Sequence, residues 1–458
     1  YMKKFFLSIV LAMLCSGARA DNLTEMQQKF VNDRFGMFIH FNMPTFVDQD
    51  WPDPDQPAET FNPKKLDCKQ WAKGAKLAGM KFGCLTTKHH SGYCIWDTET
   101  TDYNCVNSGF GRDVVKEYAD AFRKEGLGVM LYFSILDTHH RIRPGFINPT
   151  HTDYIKRQLH ELLTNYGPIS GIIIDGWDAP WSRISYEEIP FDDIYHYIKQ
   201  LQPDCLVMEL NSAKYPQDVL FYTDIKSFEQ NAGQHISTDT NVLPALSCLP
   251  LNGAWFWKSD YPTTEVKSPK WLVEENIIPF NEAYCTFILN VAPNTDGLID
   301  DNAMKALEEI GRLWKHREGK DKTLTAGNRP ITAENIAKRR PAESSWSDDG
   351  SIMDYANDDN FGSAWISNRC VKEPWYMVKL DRSTPINTIT LTDHNRSFDS
   401  YRIFYDADGK WVEIPVEPQS GKVKIHQFDT VNASAVKVTF HPTAEKMTLH
   451  EIGVYNQR

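Results

Sequence analysis

Between residues 30 and 315 the chain alternates between short apolar runs and amphipathic stretches of helical period, and this alternation restricts the fold more than any other feature. The apolar runs are RFGMFIHF (34–41), KFGCLTTK (81–88), GVMLYFSI (128–135), ISGIIIDG (169–176), DCLVMEL (204–210), a weak IKSFEQ (225–230), GAWFWK (253–258) and CTFILNVAP (285–293). Most are nearly continuous in apolar character, as parallel strands covered on both faces are. Between them lie PKKLDCKQWAKGAKLAG, RDVVKEYADAFRKEG, HTDYIKRQLHELLTNYG and PFDDIYHYIKQL, several closing on the glycine that commonly ends a helix. Eight strands alternating with helices satisfy the α/β fold of a (β/α)8-type barrel. A doubly wound sheet is the fallback, and it lacks a GxGxxG turn here.

After about residue 325 the pattern changes to short alternating strands: WYMVKLD, INTITLTD, SYRIFYDADGKWVEI, AVKVTFH and LHEIGVY, separated by Asp, Asn, Gly and Pro. This is the pattern of an antiparallel β-sandwich domain. At the other end, Lys3 and Lys4 precede the apolar FFLSIVLAML, and ARA follows at 18–20, the layout of a cleaved secretory signal peptide too short to span a bilayer. The expected organisation is therefore a leader over 1–20, a barrel over 21–322 and a sandwich over 323–458, with KHREGKDKTLTAGNRP (315–330) as the connecting segment. The mature chain is expected to be exported, periplasmic or secreted, with no membrane span.

Composition excludes one class of partner. The formal charge is −12, and without Lys3, Lys4 and Arg19 it becomes −15, with no basic stripe to bind nucleic acid. The cysteines form no CxxC pair or zinc spacing, and most sit inside strand or helix patterns, so they read as buried free thiols. Thirteen Trp and nineteen Tyr suit sugar-ring stacking but are equally ordinary core residues.

In a barrel, chemistry gathers at the C-terminal ends of the strands. Those ends supply His40; Lys88, His89 and His90; Tyr132 and Ser134 with Asp137 beyond; Asp175; Glu209 and Asn211; and Glu229. One strand-end histidine is more often structural than catalytic, but three on the first two strands of one barrel favour a site. Asp175 closes an all-apolar strand, where a carboxylate needs a functional reason, whereas Asp178 reads as a turn residue. His40 is followed by Phe41 and Asn42 instead of completing an HxH, and neighbouring strand residues face opposite ways, so no metal is expected. A polar pocket with paired carboxylates and no cofactor points to glycoside hydrolysis, one carboxylate as nucleophile or base and the other as acid.

RFGMFIHF, FNPKKLDCKQWAKGAKLAGMKFGCLTTKHHSGYCIWDTETTDYN, RDVVKEYADAFRKEGLGVMLYFSILD, IIIDGWD and FILNVAPNTDGLID resemble, in order, the conserved blocks of glycoside hydrolase family 29, the α-L-fucosidases, over residues 25 to about 315. The resemblance implies a retaining, exo-acting α-L-fucosidase that releases terminal α-linked L-fucose from oligosaccharides or glycoconjugates by double displacement, with no cofactor. Asp175 would be the nucleophile, and Glu229 the acid/base, with Glu209 as runner-up. His40, His89, His90 and Tyr132 match positions that hydrogen-bond fucose hydroxyls; Asp50-Trp51 matches an acidic-Trp pair that usually carries Glu, and Trp257 matches a pocket-facing tryptophan. Trp96 is read equally as pocket wall or core, and Ile173 stands where the family usually has an aromatic residue. The blocks look closer to the branch acting on α-1,3 and α-1,4 linkages.

From about residue 340 the chain resembles a discoidin-like module of the coagulation factor 5/8 C-terminal type, in FGSAWISN, PWYMVKLD, INTITLTD, YRIFYDADGKWVEI and LHEIGVY. Such modules bind carbohydrate or buttress a neighbouring domain, and some hold a structural calcium. Two other readings stand beside the fucosidase: a catalytically silent protein binding fucosylated glycans, and a hydrolase of another galacto-configured sugar. Retention of Asp175 favours the enzyme.

Overall fold

The computed structural model describes residues 22–315, 317–325 and 329–458; the leader expected over 1–20 lies outside them. The chain divides into two compact units, one up to Ala213 together with Leu220–Pro330, the other Lys214–Val219 with Ile331–Arg458.

The first unit is an eight-stranded parallel sheet: β1 (Phe35–Ile39), β2 (Phe82–Lys88), β3 (Gly128–Ser134), β4 (Gly171–Asp175), β5 (Leu206–Glu209), β6 (Lys226–Glu229), β7 (Ala245–Pro250) and β8 (Cys285–Asn290). The ladder runs β5-β4-β3-β2-β1-β8-β7-β6, so only the β5/β6 edges lack ladder pairing. Two side chains just ahead of β6 stitch that seam. Asp224 Oδ2 accepts from the Val207 amide at 2.8 Å while the Asp224 amide donates to Val207 O at 2.8 Å, and Thr223 Oγ1 accepts from the Glu209 amide at 3.1 Å. Every edge amide so paired is spared the cost of burial without a partner.

The strands are apolar throughout because both faces are covered. Phe38, Cys84, Met130, Tyr132, Ile173, Met208, Leu246, Cys248 and Ile288 fill the barrel interior. Helices α1 (Cys68–Leu77), α2 (Val114–Lys124), α3 (Pro149–Thr164), α4 (Phe191–Leu201) and α5 (Asp301–Trp314) cover the outside. Asp67 caps α1 and Asp113 caps α2, each accepting backbone N–H bonds in the first turn, and Asn148 caps α3 ahead of Pro149.

The seventh strand differs from the expectation. GAWFWK forms no strand; the sheet instead uses ALSCLP, all six residues of it buried. The aromatic run is irregular because other partners hold its backbone: Tyr261 Oη accepts from the Ala254 amide at 2.6 Å, and Asn290 Nδ2 donates to Trp255 O at 2.7 Å.

The second unit carries an antiparallel sheet ordered β13-β12-β14-β11-β16, built from β11 (Trp375–Thr392), β12 (Phe398–Ala407), β13 (Lys410–Ile414), β14 (Val423–Pro442) and β16 (Glu451–Tyr455). A short β9 (Ala342–Ser344) adds to β11, and β10 (Trp365–Ile366) pairs with β15 (Thr448–Leu449) as a second layer. Trp365, Tyr376, Ile389, Val438, Leu449 and Ile452 lie in its core. The eight described cysteines are all free, seven of them buried and Cys370 exposed. No described helix is long and apolar enough to cross a membrane.

Candidate active site

One pocket opens at the C-terminal end of the parallel strands, lined by Phe38, His40, Asp50, Trp51, His89, His90, Asp175, Trp181, Leu210, Glu229, Trp255 and Phe256. Its cavity is about 150 Å³, the size that elsewhere accepts a single six-membered ring such as benzene.

Asp175 ends β4 inside this pocket with both oxygens held. Tyr132 Oη donates to Oδ2 at 2.6 Å and Asn211 Nδ2 donates to Oδ1 at 2.7 Å. Burial pushes the Asp175 carboxyl up, and these two bonds together with the Gly176 amide pull against that push. Gly176 has φ 113°, and a Cβ there would lie 2.8 Å from Ile135 Cγ1 and 3.0 Å from the Leu136 amide nitrogen. Only glycine lets the chain turn this tightly behind the acid. Tyr132, expected among the sugar-binding groups, is fully buried and donates its hydroxyl hydrogen bond to Asp175.

Glu229 closes β6 and lines the same pocket. Burial and then the charge of Asp175 push its carboxyl up to about 7, while an N–H···O bond of 3.0 Å from Trp255 Nε1 to Oε1 pulls it down. Glu209, the other carboxylate considered, is fully buried behind the site, and burial holds it well above the carboxylate range. Its Oε1 accepts from the Asn211 amide at 2.9 Å and its Oε2 from Tyr186 Oη at 3.3 Å. Glu209 thus fixes the residue that fixes Asp175, and does not line the cavity.

The three histidines come together as the strand ends suggest. His89 and His90 follow the last residue of β2 and sit in a turn, where the Gly92 amide donates to His89 O and the Thr138 amide to His90 O, each at 2.9 Å. Because the strand has ended, both rings reach the pocket, their centroids 3.9 Å apart. Lys88 stays behind on the strand, bonding Gln158 Oε1 at 2.8 Å and lying 3.4 Å from Asp137. Against the upward push of burial, Lys88 and His140 hold Asp137 down at about 2.

Hydrogen bonding fixes the proton on one of these rings. Asn290 Nδ2 donates to a carbonyl, so its Oδ1 is the acceptor and His40 Nδ1, 2.8 Å away, carries the proton, leaving Nε2 unprotonated. Ser134 Oγ lies between His90 Nδ1 at 2.7 Å and Leu136 O at 2.9 Å. Burial lowers His40 and His90 to about 3, keeping them neutral, and His89 lies well below the usual range for the same reason. His89 Nδ1 is buried and has no hydrogen-bond partner.

Asp50 and Trp51 both line the pocket, Asp50 pairing with Lys258 Nζ at 2.9 Å. Trp257 does not line it; its indole donates to Asp300 at 2.7 Å, and Trp255 and Phe256 occupy the wall instead. Trp96 is core, donating to Glu161 on α3 at 2.9 Å. Ile173 belongs to the barrel interior. Asp178 takes a left-handed conformation, φ 48°, in the turn after β4. Trp181, Trp255 and Phe256 are pocket residues for which no strand-end argument exists, because they sit on loops.

The model of the α-L-fucosidase family matches residues 48–320, and that of the F5/8 type C domain matches residues 341–452. Alpha-L-fucosidase 1 of Arabidopsis thaliana is 31% identical over 303 residues, 60% of this chain and 57% of that protein. The alpha-L-fucosidase of Dictyostelium discoideum is 24% identical over 267 residues, 55% of this chain and 54% of its own length. The chain thus spans a little over half of these two relatives. Among solved structures, alpha-L-fucosidase isoenzyme 1 from Paenibacillus thiaminolyticus superposes with a TM-score of 0.55 at 25% identity, covering 92% of this chain and all of the other. A Ruminococcus gnavus GH29 fucosidase in complex with fucose shares the fold at 20% identity and TM-score 0.52, covering 95% of each chain.

Proposed function

Since the chain belongs to the α-L-fucosidase family, glycoside hydrolase family 29, we propose that it is an exported, exo-acting, retaining α-L-fucosidase acting on α-1,3- and α-1,4-linked terminal fucose of oligosaccharides or glycoconjugates. The observation that carries this reading is the pair Asp175 and Glu229: two carboxyls in one single-ring pocket, with the charge of the first raising the pKa of the second.

In the first step an oxygen of Asp175 attacks the anomeric carbon, the glycosidic bond breaks, and the leaving oxygen takes the proton of Glu229. Tyr132 and Asn211 aim the attacking carboxylate, each oxygen keeping a second lone pair for the sugar. Once Asp175 is an ester its charge is gone, and Glu229 loses one of the two causes of its raised pKa. Glu229 then acts as the base, taking a proton from the water that attacks the same carbon and frees Asp175. The unprotonated Nε2 of His40 suits donation from a sugar hydroxyl, and the neutral rings of His89 and His90 stand beside it in the pocket wall. The small cavity supports exo action, since it accommodates one ring. Incubation with oligosaccharides of defined fucosyl linkage tests this: free fucose should appear from α-1,3 and α-1,4 isomers before α-1,2 or α-1,6, and the reverse order would overturn the linkage.

For the discoidin-like module the reading includes a structural calcium, for which Asp358 and the Tyr355 and Asn360 carbonyls would supply oxygens. Ser363 Oγ has one proton, yet lies 2.8 Å from Asn360 O, 3.4 Å from Tyr355 O, and 3.0 and 2.9 Å from the two oxygens of Asp358. Calcium held by these residues should raise the unfolding temperature of the whole protein over that in chelator; equal temperatures would remove the metal from the account.

A further inference from the structure

The loop after β4 places an exposed indole where a bound sugar has to leave the pocket. Trp181 is 43% exposed and Trp51 is 48% exposed, and both line the cavity that holds Asp175 and Glu229. Single exposed tryptophans are unremarkable. These two touch: their rings meet edge to face at 5.6 Å, and both lie against His90, Trp51 stacked at 4.9 Å and Trp181 tilted at 4.2 Å. His90 Nε2 is in turn 3.7 Å from Asp175 Oδ2. The indoles therefore stand one imidazole away from the nucleophile.

The loop is built to hold that position. Trp177 at its base is fully buried and donates from Nε1 to Ile189 O at 2.8 Å. The Asp178 amide donates to Ile184 O at 2.7 Å, and the Ser182 and Arg183 amides both donate to Ala179 O, at 3.1 and 2.8 Å. Asp178 and Arg183 take left-handed φ values of 48° and 56°, a strained choice for such residues, and Pro180 fixes the backbone just before Trp181. The loop thus holds Trp181 against His90 on one side and leaves 43% of it facing the pocket mouth.

Resting on the fucosidase reading of this pocket, we infer that Trp181 is a specificity-determining residue: its exposed face, with Trp51 beside it, stacks on the C–H face of the pyranose to which the fucose is attached. The occupant follows from continuity. The fucosyl ring fills the single-ring cavity, and the leaving group must extend from the anomeric carbon past the residues at the rim. The preferred substrates are then those in which fucose is carried by another sugar ring, not by a small alcohol or an amino-acid hydroxyl.

The test compares the wild type with Trp181→Ala and Trp181→Phe on two substrates, a fucosylated trisaccharide and α-L-fucosyl fluoride, whose leaving group has no ring. For Trp181→Ala the ratio of kcat/KM for the trisaccharide to kcat/KM for the fluoride should fall at least about tenfold, the order that one apolar contact contributes to discrimination. Trp181→Phe should restore much of it. Equal losses on both substrates would mean that Trp181 acts by supporting His90, and no loss on either would mean that it contacts nothing; both results overturn the proposal. A wild type that releases fucose from neither substrate overturns the fucosidase reading itself, and this inference with it.

Discussion

The Tyr132 hydroxyl donates to Oδ2 of Asp175 across 2.6 Å, a fully buried donor behind a carboxylate that keeps 5% of its surface open to the pocket. A hydrogen bond to a charged group contributes about 1.5–3 kcal/mol, and here it opposes the effect of burial on the same carboxyl. Tyr132→Phe should therefore reduce kcat about 10- to 100-fold and change KM much less. The lost bond favoured the ionised acid, so the Asp175 pKa rises and the acidic limb of the rate profile moves to higher pH. An unaltered profile with full kcat would mean that the bond has no part in the reaction.

The other limb belongs to Glu229, which must be protonated for the first step. With its pKa raised to about 7, kcat/KM should decline as pH rises through that region. Trp255 Nε1 donates to the carboxylate and so favours its ionised form. Trp255→Phe should raise the Glu229 pKa and carry the alkaline limb upward, measured on a substrate with a poor leaving group. A downward shift would show that Trp255 favours the protonated acid.

Glu229→Ala should slow substrates with poor leaving groups most, and on a substrate with a good leaving group added azide should restore turnover with α-fucosyl azide as product, because azide opens the β-linked ester on Asp175 with inversion and needs no base. Glu209→Ala should not respond to azide, since Glu209 holds Asn211 through its amide and does not line the cavity. Azide rescue of the Glu209 variant alone would exchange the two roles.

Strand-end reasoning reached much of this site because period and burial are written locally. A short β-branched run such as GIIID, bounded by glycines, reads as a covered strand, and the polar residue closing it faces the barrel mouth. The same logic brought His40, His89, His90 and Glu229 to the pocket. It failed where side-chain direction is set by loop hydrogen bonds that leave no periodic trace. GAWFWK has the composition of a strand but is held open by Tyr261 and Asn290, which sends Trp255 and Phe256 to the cavity and Trp257 to Asp300. ALSCLP, with its serine and proline, has the composition of a connection and forms β7. The bond from Tyr132 to Asp175 depends on a cross-strand register between β3 and β4 that a single run does not reveal. Closure of the β5/β6 seam by Thr223 and Asp224 was likewise invisible, since it rests on side chains acting as ladder partners.

The mechanism requires a covalent fucosyl ester at Asp175. Incubation with 2-deoxy-2-fluoro-α-L-fucosyl fluoride, whose C2 fluorine slows both steps while the fluoride leaving group keeps ester formation ahead of release, followed by proteolysis and mass spectrometry, locates that bond. The label should lie on the peptide containing GIIIDGW, at Asp175, and should be absent from an Asp175→Asn protein that is otherwise folded. A label on Glu229 or Glu209, or unlabelled wild type that still turns over natural substrate, would contradict the mechanism.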